Sequence, residues 1–75
     1  MRPNEFKSMV DYIRTRTSIL RERGATIWDI AADITDDVIF EYFWDYSRDM
    51  PSVNTEYLEI AIRNMVKKIV KPLDK

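Results

Sequence analysis

Apolar residues recur along this chain at spacings of three and four, with almost no strict alternation, which is the signature of helices packed by one face. Between Asn4 and Arg23 the residues Phe6, Met9, Val10, Ile13, Thr17 and Leu20 share a face at about 100° per residue. Asn4 is placed to cap this first helix, and Gly24 to follow its end as the left-handed C′ residue. Thr26-Ile27-Trp28-Asp29 then reads as a capping box, with Asp29 three residues after the capping threonine. The stripe that follows comprises Ile27, Ile30, Ala31, Ile34 and Val38.

Beyond Val38 the phase changes. Ile39, Tyr42, Phe43, Tyr46 and Met50 cluster roughly 110° away on the same helical wheel. One straight helix would then have to bury two sides. Thr35-Asp36-Asp37 lies at the change and reads as a fresh N-terminus, a capping residue followed by acidic first-turn residues. The middle of the chain is therefore expected to divide into helices over 27–34 and 36–49. Pro51 marks the next break, with Ser52 or Asn54 as cap. Leu58, Ala61, Ile62, Met65 and Ile69 form the last stripe, and Pro72 ends it.

The expected fold is all-α: a single compact domain over residues 1–75, built as a bundle of about four helices (4–23, 27–34, 36–49, 54–71). At 75 residues such a domain buries only about 60% of its unfolded surface, so its own core gives modest stability. The chain has neither cysteine nor histidine, which closes the disulfide and Cys/His zinc routes to extra stability and gives weight to binding or self-association.

The same two absences narrow the chemistry. There is no thiolate nucleophile and no imidazole base, and Ser8, Ser18, Ser47 and Ser52 have no histidine to activate them. One glycine in the whole chain leaves no phosphate-cradling loop and no calcium-loop turn, although Asp29/Asp33 and Asp36/Asp37 are oxygen ligands of the sort that hold Mg²⁺ or Ca²⁺ weakly. The expectation is a protein that is not an enzyme and uses no metal or cofactor. No apolar run approaches the ~18 residues of a membrane span, and the first residues lack the apolar stretch of a secretory signal, so a cytoplasmic location is expected.

A net charge of −1 gives no general pull toward nucleic acid, but it conceals a segregation. Residues 1–24 carry six basic and three acidic side chains, residues 25–50 one and seven, and residues 51–75 five and three. An acidic middle between basic ends can pair its charges at helix rims. Lys7, Arg14 and Arg21 flank the first stripe on one side and Arg16 and Arg23 on the other, where long stems cover apolar surface. Acids also recur every fourth residue, at Asp29, Asp33, Asp37, Glu41, Asp45 and Asp49, about 6 Å apart along a helix axis. That spacing is comparable to the phosphate repeat and raises the idea of an acidic DNA mimic, although a four-residue repeat winds around the helix by about 40° per step.

Two short stretches carry partial resemblances. Arg23-Gly24-Ala25-Thr26-Ile27-Trp28-Asp29-Ile30-Ala31, followed by Tyr42-Phe43, resembles the start of the DNA-binding domain of TetR-type repressors. That resemblance implies a helix-turn-helix whose second helix enters the major groove, here opening with Asp36 and Asp37. Asp29-Ile30-Ala31-Ala32-Asp33-Ile34 with Asp36 is similar to the acidic helix of small YozE-type SAM-like helical proteins, with Trp28 standing where that pattern has glycine. Each covers a small part of the chain, places it in no family, and implies a compact helical bundle.

What remains is the apolar surface that no stripe buries. Trp44 lies about 150° from the Ile39/Phe43/Tyr46 face, near Asp37, Glu41 and Arg48, with Phe40 between the two faces. Tyr12 and Ile19 point away from the first stripe, and Ile60 and Val70 fall among Arg63, Lys67 and Lys71. Aromatic anchors inside an acidic rim suit a basic, apolar partner surface. The leading expectation is thus a small module that binds and modulates a larger protein as inhibitor or adaptor, of the kind phages and mobile elements carry, through Phe40, Trp44, Asp37, Glu41, Arg48, Ile60 and Val70. The rival is a DNA-binding regulator using Arg14, Arg16, Arg21, Arg23, Arg63, Lys67 and Lys71. A third candidate is homo-oligomerisation through Ile60, Val66 and Val70.

Overall fold

Three helices and one short hairpin account for residues 2–71, the part of the chain that the computed structural model describes. Helix α1 spans Pro3–Glu22, α2 Ile27–Tyr42 and α3 Thr55–Val70; strands β1 (Trp44–Asp45) and β2 (Met50–Pro51) lie between α2 and α3. The stop assigned to Pro72 lies outside the described residues.

The N-cap position of α1 lies two residues ahead of the one expected, at Arg2 rather than Asn4. Pro3 takes the first turn, where its fixed φ fits and its missing N–H costs nothing, and Arg2 precedes it with no side-chain capping bond. The Asn4 cap is therefore corrected. The other end follows expectation: Gly24 has φ +84°, its N–H donates to the Arg21 carbonyl, and the Ala25 N–H donates to the Leu20 carbonyl. This Schellman pair satisfies carbonyls that the helix end leaves open, and glycine supplies the left-handed residue without a Cβ penalty.

Thr26 caps α2 through its hydroxyl, which accepts from the Asp29 N–H at 3.2 Å. The helix then runs straight through the point of phase change. Thr35 is no N-cap: it is buried inside α2 and its hydroxyl donates to the Ala31 carbonyl at 2.6 Å. Thr17 does the same within α1, donating to the Ile13 carbonyl at 2.6 Å. Back-bonding of this kind satisfies a buried hydroxyl without a partner from another element.

The expected helices 27–34 and 36–49 are accordingly replaced by one helix and a hairpin. The physical reason is position: α2 packs against both α1 and α3, so it buries the ridge Ile30/Ile34/Val38 and the adjoining ridge Ala31/Thr35/Ile39 together. A change of phase marks a second neighbour here, not a break. Past Tyr42 the wheel no longer applies, and Tyr46 and Met50, expected in the core, are exposed at 83% and 49%.

The hairpin pairs Trp44 with Pro51 and Asp45 with Met50 in antiparallel register. Asp45 organises its turn: one carboxylate oxygen accepts from the Ser47 N–H, the Ser47 hydroxyl and the Arg48 N–H. Asp49 closes the turn with φ 51°, a left-handed conformation that aspartate tolerates better than most side chains. Ser52 donates its N–H and its hydroxyl to the Phe43 carbonyl, clamping the base. Asn54 then caps α3, accepting from the Glu56 and Tyr57 N–H groups.

The core joins Met9 and Ile13 of α1 with Ile30, Ile34 and Val38 of α2 and Ile62, Val66 and Val70 of α3. Two stripes are thus rotated from their expected centres. Phe6 is exposed in α1, and α3 buries Val66 and Val70 while Ala61 faces out. Burying Val66 and Val70 removes them from any oligomerisation face.

Candidate functional site

The end of α2 and the start of the hairpin place two aromatic rings side by side. Phe40 projects from the last turn of α2 and Trp44 opens β1, with ring centroids 4.9 Å apart and planes tilted by 35°. Phe40 is 60% exposed and Trp44 is half-buried, so the solvent-facing surface of the pair is chiefly the Phe40 ring, with Trp44 packed behind it. Aromatic contacts at this separation are favourable by about 0.5–1.5 kcal/mol beyond area burial, which favours keeping the two rings together as a platform.

Beside the platform, between α1 and α2, lies an open cleft of about 510 Å³ lined by Ser8, Tyr12, Asp37, Phe40, Glu41 and Tyr42. Asp37 and Glu41 are one helical turn apart and both are exposed. The Tyr12 hydroxyl donates to Asp37 Oδ2, and the Tyr42 hydroxyl donates to Ser8 Oγ at 3.3 Å. Burial pushes the Tyr12 hydroxyl up to about 12, and its bond to the negative Asp37 adds to the shift.

Because folding raises this pKa from the ordinary value near 10, the folded chain holds the proton more tightly than the unfolded one. The stabilisation is complete below pH 10 and is lost as pH rises from 10 through about 12. Tyr12→Phe is expected to flatten this stretch of the stability–pH curve, as read by urea unfolding at stepped alkaline pH. A variant curve as steep as the parent's would dissociate Tyr12 from the effect.

The other sequence-selected residues fall in different places. Arg48 sits in the hairpin turn, where Nε lies 3.8 Å from Asp45 Oδ2, a loose contact at the rim of the surface. The hydrogen bond from the Ser47 hydroxyl, with smaller help from the Ser47 and Arg48 N–H groups, holds the Asp45 carboxyl below the usual carboxylate range. Ile60 is 49% exposed on α3, whereas Val70 is fully buried and leaves the partner-binding set, because it is the last core residue of α3. The structure thus gathers Phe40, Trp44, Asp37 and Glu41, with Arg48 on the same hairpin as Trp44.

Of the basic set, Arg16 is engaged with Asp33 at 3.2 Å, a bond tying α1 to α2. Arg63 lies over the Trp28 ring at 4.2 Å and near Glu59 at 3.7 Å, and its Nε is buried with no hydrogen-bond partner among the described residues. Its charge is absorbed by an aromatic face and a neighbouring acid. Arg14, Arg23, Lys67 and Lys71 are exposed, and Arg21 is half-buried. The turn that a helix-turn-helix would need ahead of Asp36 is absent, since α2 is continuous there. Of the acids spaced by four, Asp29, Asp33, Asp37 and Glu41 share α2, while Asp45 and Asp49 belong to the hairpin and continue no helical row.

Sequence reasoning missed Ser8 and Tyr42 as walls of the cleft. The available signal was Tyr12, which points away from its own stripe and toward whatever packs beside it. Trp28, exposed at 62%, was placed only as part of a cap, and its partner Arg63 is distant in sequence. No helix among the described residues is long and apolar enough to cross a membrane, and no cluster of three or more acidic side chains among them is arranged to hold a metal ion. No family model, no curated protein and no solved structure matches this chain.

Proposed function

We propose that this protein is a small non-enzymatic interaction module that binds a larger protein through the Phe40–Trp44 platform and its acidic rim, modulating that protein by occupying its surface. The observation that carries the reading is the platform itself: two large rings packed on each other, Phe40 exposed and Trp44 half-buried behind it, beside carboxylates that form no ion pair among the described residues. Large rigid rings lose little conformational freedom on docking and dominate binding hot spots. The complementary surface is apolar at its centre and basic around it.

Size sets the footprint. A stable complex takes about 800 Å² from each partner, roughly one-seventh of the 5593 Å² surface of this chain. Two rings are too small for that, so the contact extends over the adjoining cleft and along the hairpin, where Tyr46 and Met50 stand exposed. Regulation of DNA by direct contact is less well supported, because Arg16 and Arg63 are already engaged within the fold.

The test is affinity capture from cell lysate with the parent chain and with the double variant Phe40→Ala/Trp44→Ala as bait. The expected result is a specific partner whose affinity falls about 30-fold or more in the variant, as for loss of a hot spot worth about 2 kcal/mol. The helical circular dichroism should be unchanged, and capture should weaken as salt is raised. Equal capture by both baits would refute the reading, and salt-sensitive retention of duplex DNA by both would favour the regulator instead.

A further inference from the structure

We infer that the cleft between α1 and α2 is the seat for an arginine side chain supplied by the protein partner, beside the Phe40–Trp44 platform. This rests on the docking reading above and names the chemistry of its central contact.

The cleft has the charge, the walls and the hydrogen-bonding groups that a guanidinium requires. Asp37 and Glu41 stand at i and i+4 on α2, where like charges repel by a few tenths of a kcal/mol. Among the described residues neither carboxylate forms an ion pair, although α1 alongside is rich in arginine. A cation placed between them would relieve that repulsion.

Asp37 Oδ2 is held by the Tyr12 hydroxyl, which fixes the carboxylate and leaves Oδ1 available. Tyr12 keeps its proton throughout the neutral range, so this arrangement does not change at ordinary pH. Tyr42 spends its own proton on Ser8, so its phenolic oxygen can still accept a bond from an incoming N–H. Phe40 forms the wall shared with the platform, so a side chain in the cleft is continuous with the apolar contact.

Arginine suits these features better than lysine. Its planar fork spans two acceptors at once and its face stacks on aromatic rings, while an ammonium is a compact, strongly hydrated point charge. The partner segment then carries an arginine next to apolar residues, matching the order of cleft and platform.

The probe is N-acetyl-arginine amide, titrated into the ¹⁵N-labelled chain and followed by NMR, with N-acetyl-citrulline amide as the uncharged isostere. Binding is expected with a Kd on the order of 1–10 mM, as suits one side chain without its partner. Amide shifts should concentrate at Ser8, Tyr12 and residues 37–42, with citrulline at least about tenfold weaker. Asp37→Asn/Glu41→Gln is expected to abolish the shifts while the spectrum stays that of the folded chain. No localised shift, equal shifts from citrulline, or unchanged binding in that folded variant would each overturn the assignment. Should the probe fail while Phe40→Ala/Trp44→Ala still abolishes capture, the docking reading stands and the arginine seat falls. Should capture be indifferent to the rings while the probe binds, the reverse holds.

Discussion

Asp36→Pro is expected to cost about 3 kcal/mol or more, because it places proline in the interior of a continuous helix. The side chain at position 36 is exposed, so nothing is lost from the core. What is lost is the helical bond from its N–H to the carbonyl four residues back, and the proline ring collides with that same carbonyl. At ~0.05–0.15 kcal/mol per residue, a 75-residue chain has about 4–11 kcal/mol to lose, so the variant should be partly unfolded or close to it.

Asp36→Ala is the control, and it should be as stable as the parent or slightly more so, since alanine is the better helix former. Urea unfolding followed by far-UV circular dichroism reads both. The pair is decisive about architecture. If the chain broke into two helices at Thr35, proline at 36 would occupy a first helical position and be tolerated there. Equal unfolding midpoints for Asp36→Pro and the parent would therefore refute a continuous α2.

Ile34→Ala is expected to destabilise the fold by about 2–5 kcal/mol, combining lost burial with the cavity left behind. Ile34 has no exposed surface and sits in the cluster formed by all three helices, so no flexible neighbour can swing in from solvent to fill the space. Ile60→Ala removes the same atoms from a half-exposed site on α3 and should change stability by no more than about 0.5 kcal/mol. Unfolding midpoints in urea compare the two directly. Similar losses at both positions would mean that Ile60 belongs to the core and that the packing of α3 is wrong.

The contrast bears on function as well. Single exposed apolar residues are ordinary, so the informative case is one where exposed apolar side chains gather beside unpaired charge. Ile34 and Val66 are enclosed in the core, whereas Phe40, Tyr46 and Met50 keep about half or more of their surface in solvent. The Phe40–Trp44 pair is the place where exposure, ring contact and uncompensated charge coincide.

How far the fold was legible from sequence differs from element to element. Gly24 announced the end of α1 because a left-handed residue after a helix strongly favours glycine, and Thr26 and Asn54 announced the starts of α2 and α3 because short polar side chains satisfy open N–H groups there. Those are local effects, written in a few consecutive residues. The hairpin was missed although its turn is also local: Asp45 with Ser47 and Arg48 has turn chemistry, but Tyr42, Phe43 and Tyr46 continued a plausible helical stripe across it. Periodicity outweighed turn chemistry, and wrongly.

The candidate site shows the same division. Phe40, Asp37 and Glu41 were selectable as a group because helical spacing keeps them close whether the helix ends at 42 or at 49, whereas Trp44 lies past the helix and meets Phe40 from the start of β1. Val70 was misplaced because the apolar residues of α3 are spread widely enough to accommodate more than one buried face, and only the approach of α1 and α2 fixes which one is used.

By itself, then, the sequence determined the mostly helical class, the end of α1 at Gly24, the caps Thr26 and Asn54, the absence of thiol and imidazole groups, and the acidic aromatic character of the middle of the chain; each depends on composition or on neighbours within about one turn. Tertiary structure alone decided that α2 runs unbroken past Thr35, that Tyr12 meets Asp37 across 25 positions, and that Arg63 lies over Trp28. These depend on which helix packs against which, and a one-dimensional pattern cannot distinguish a helix with two neighbours from two helices with one neighbour each.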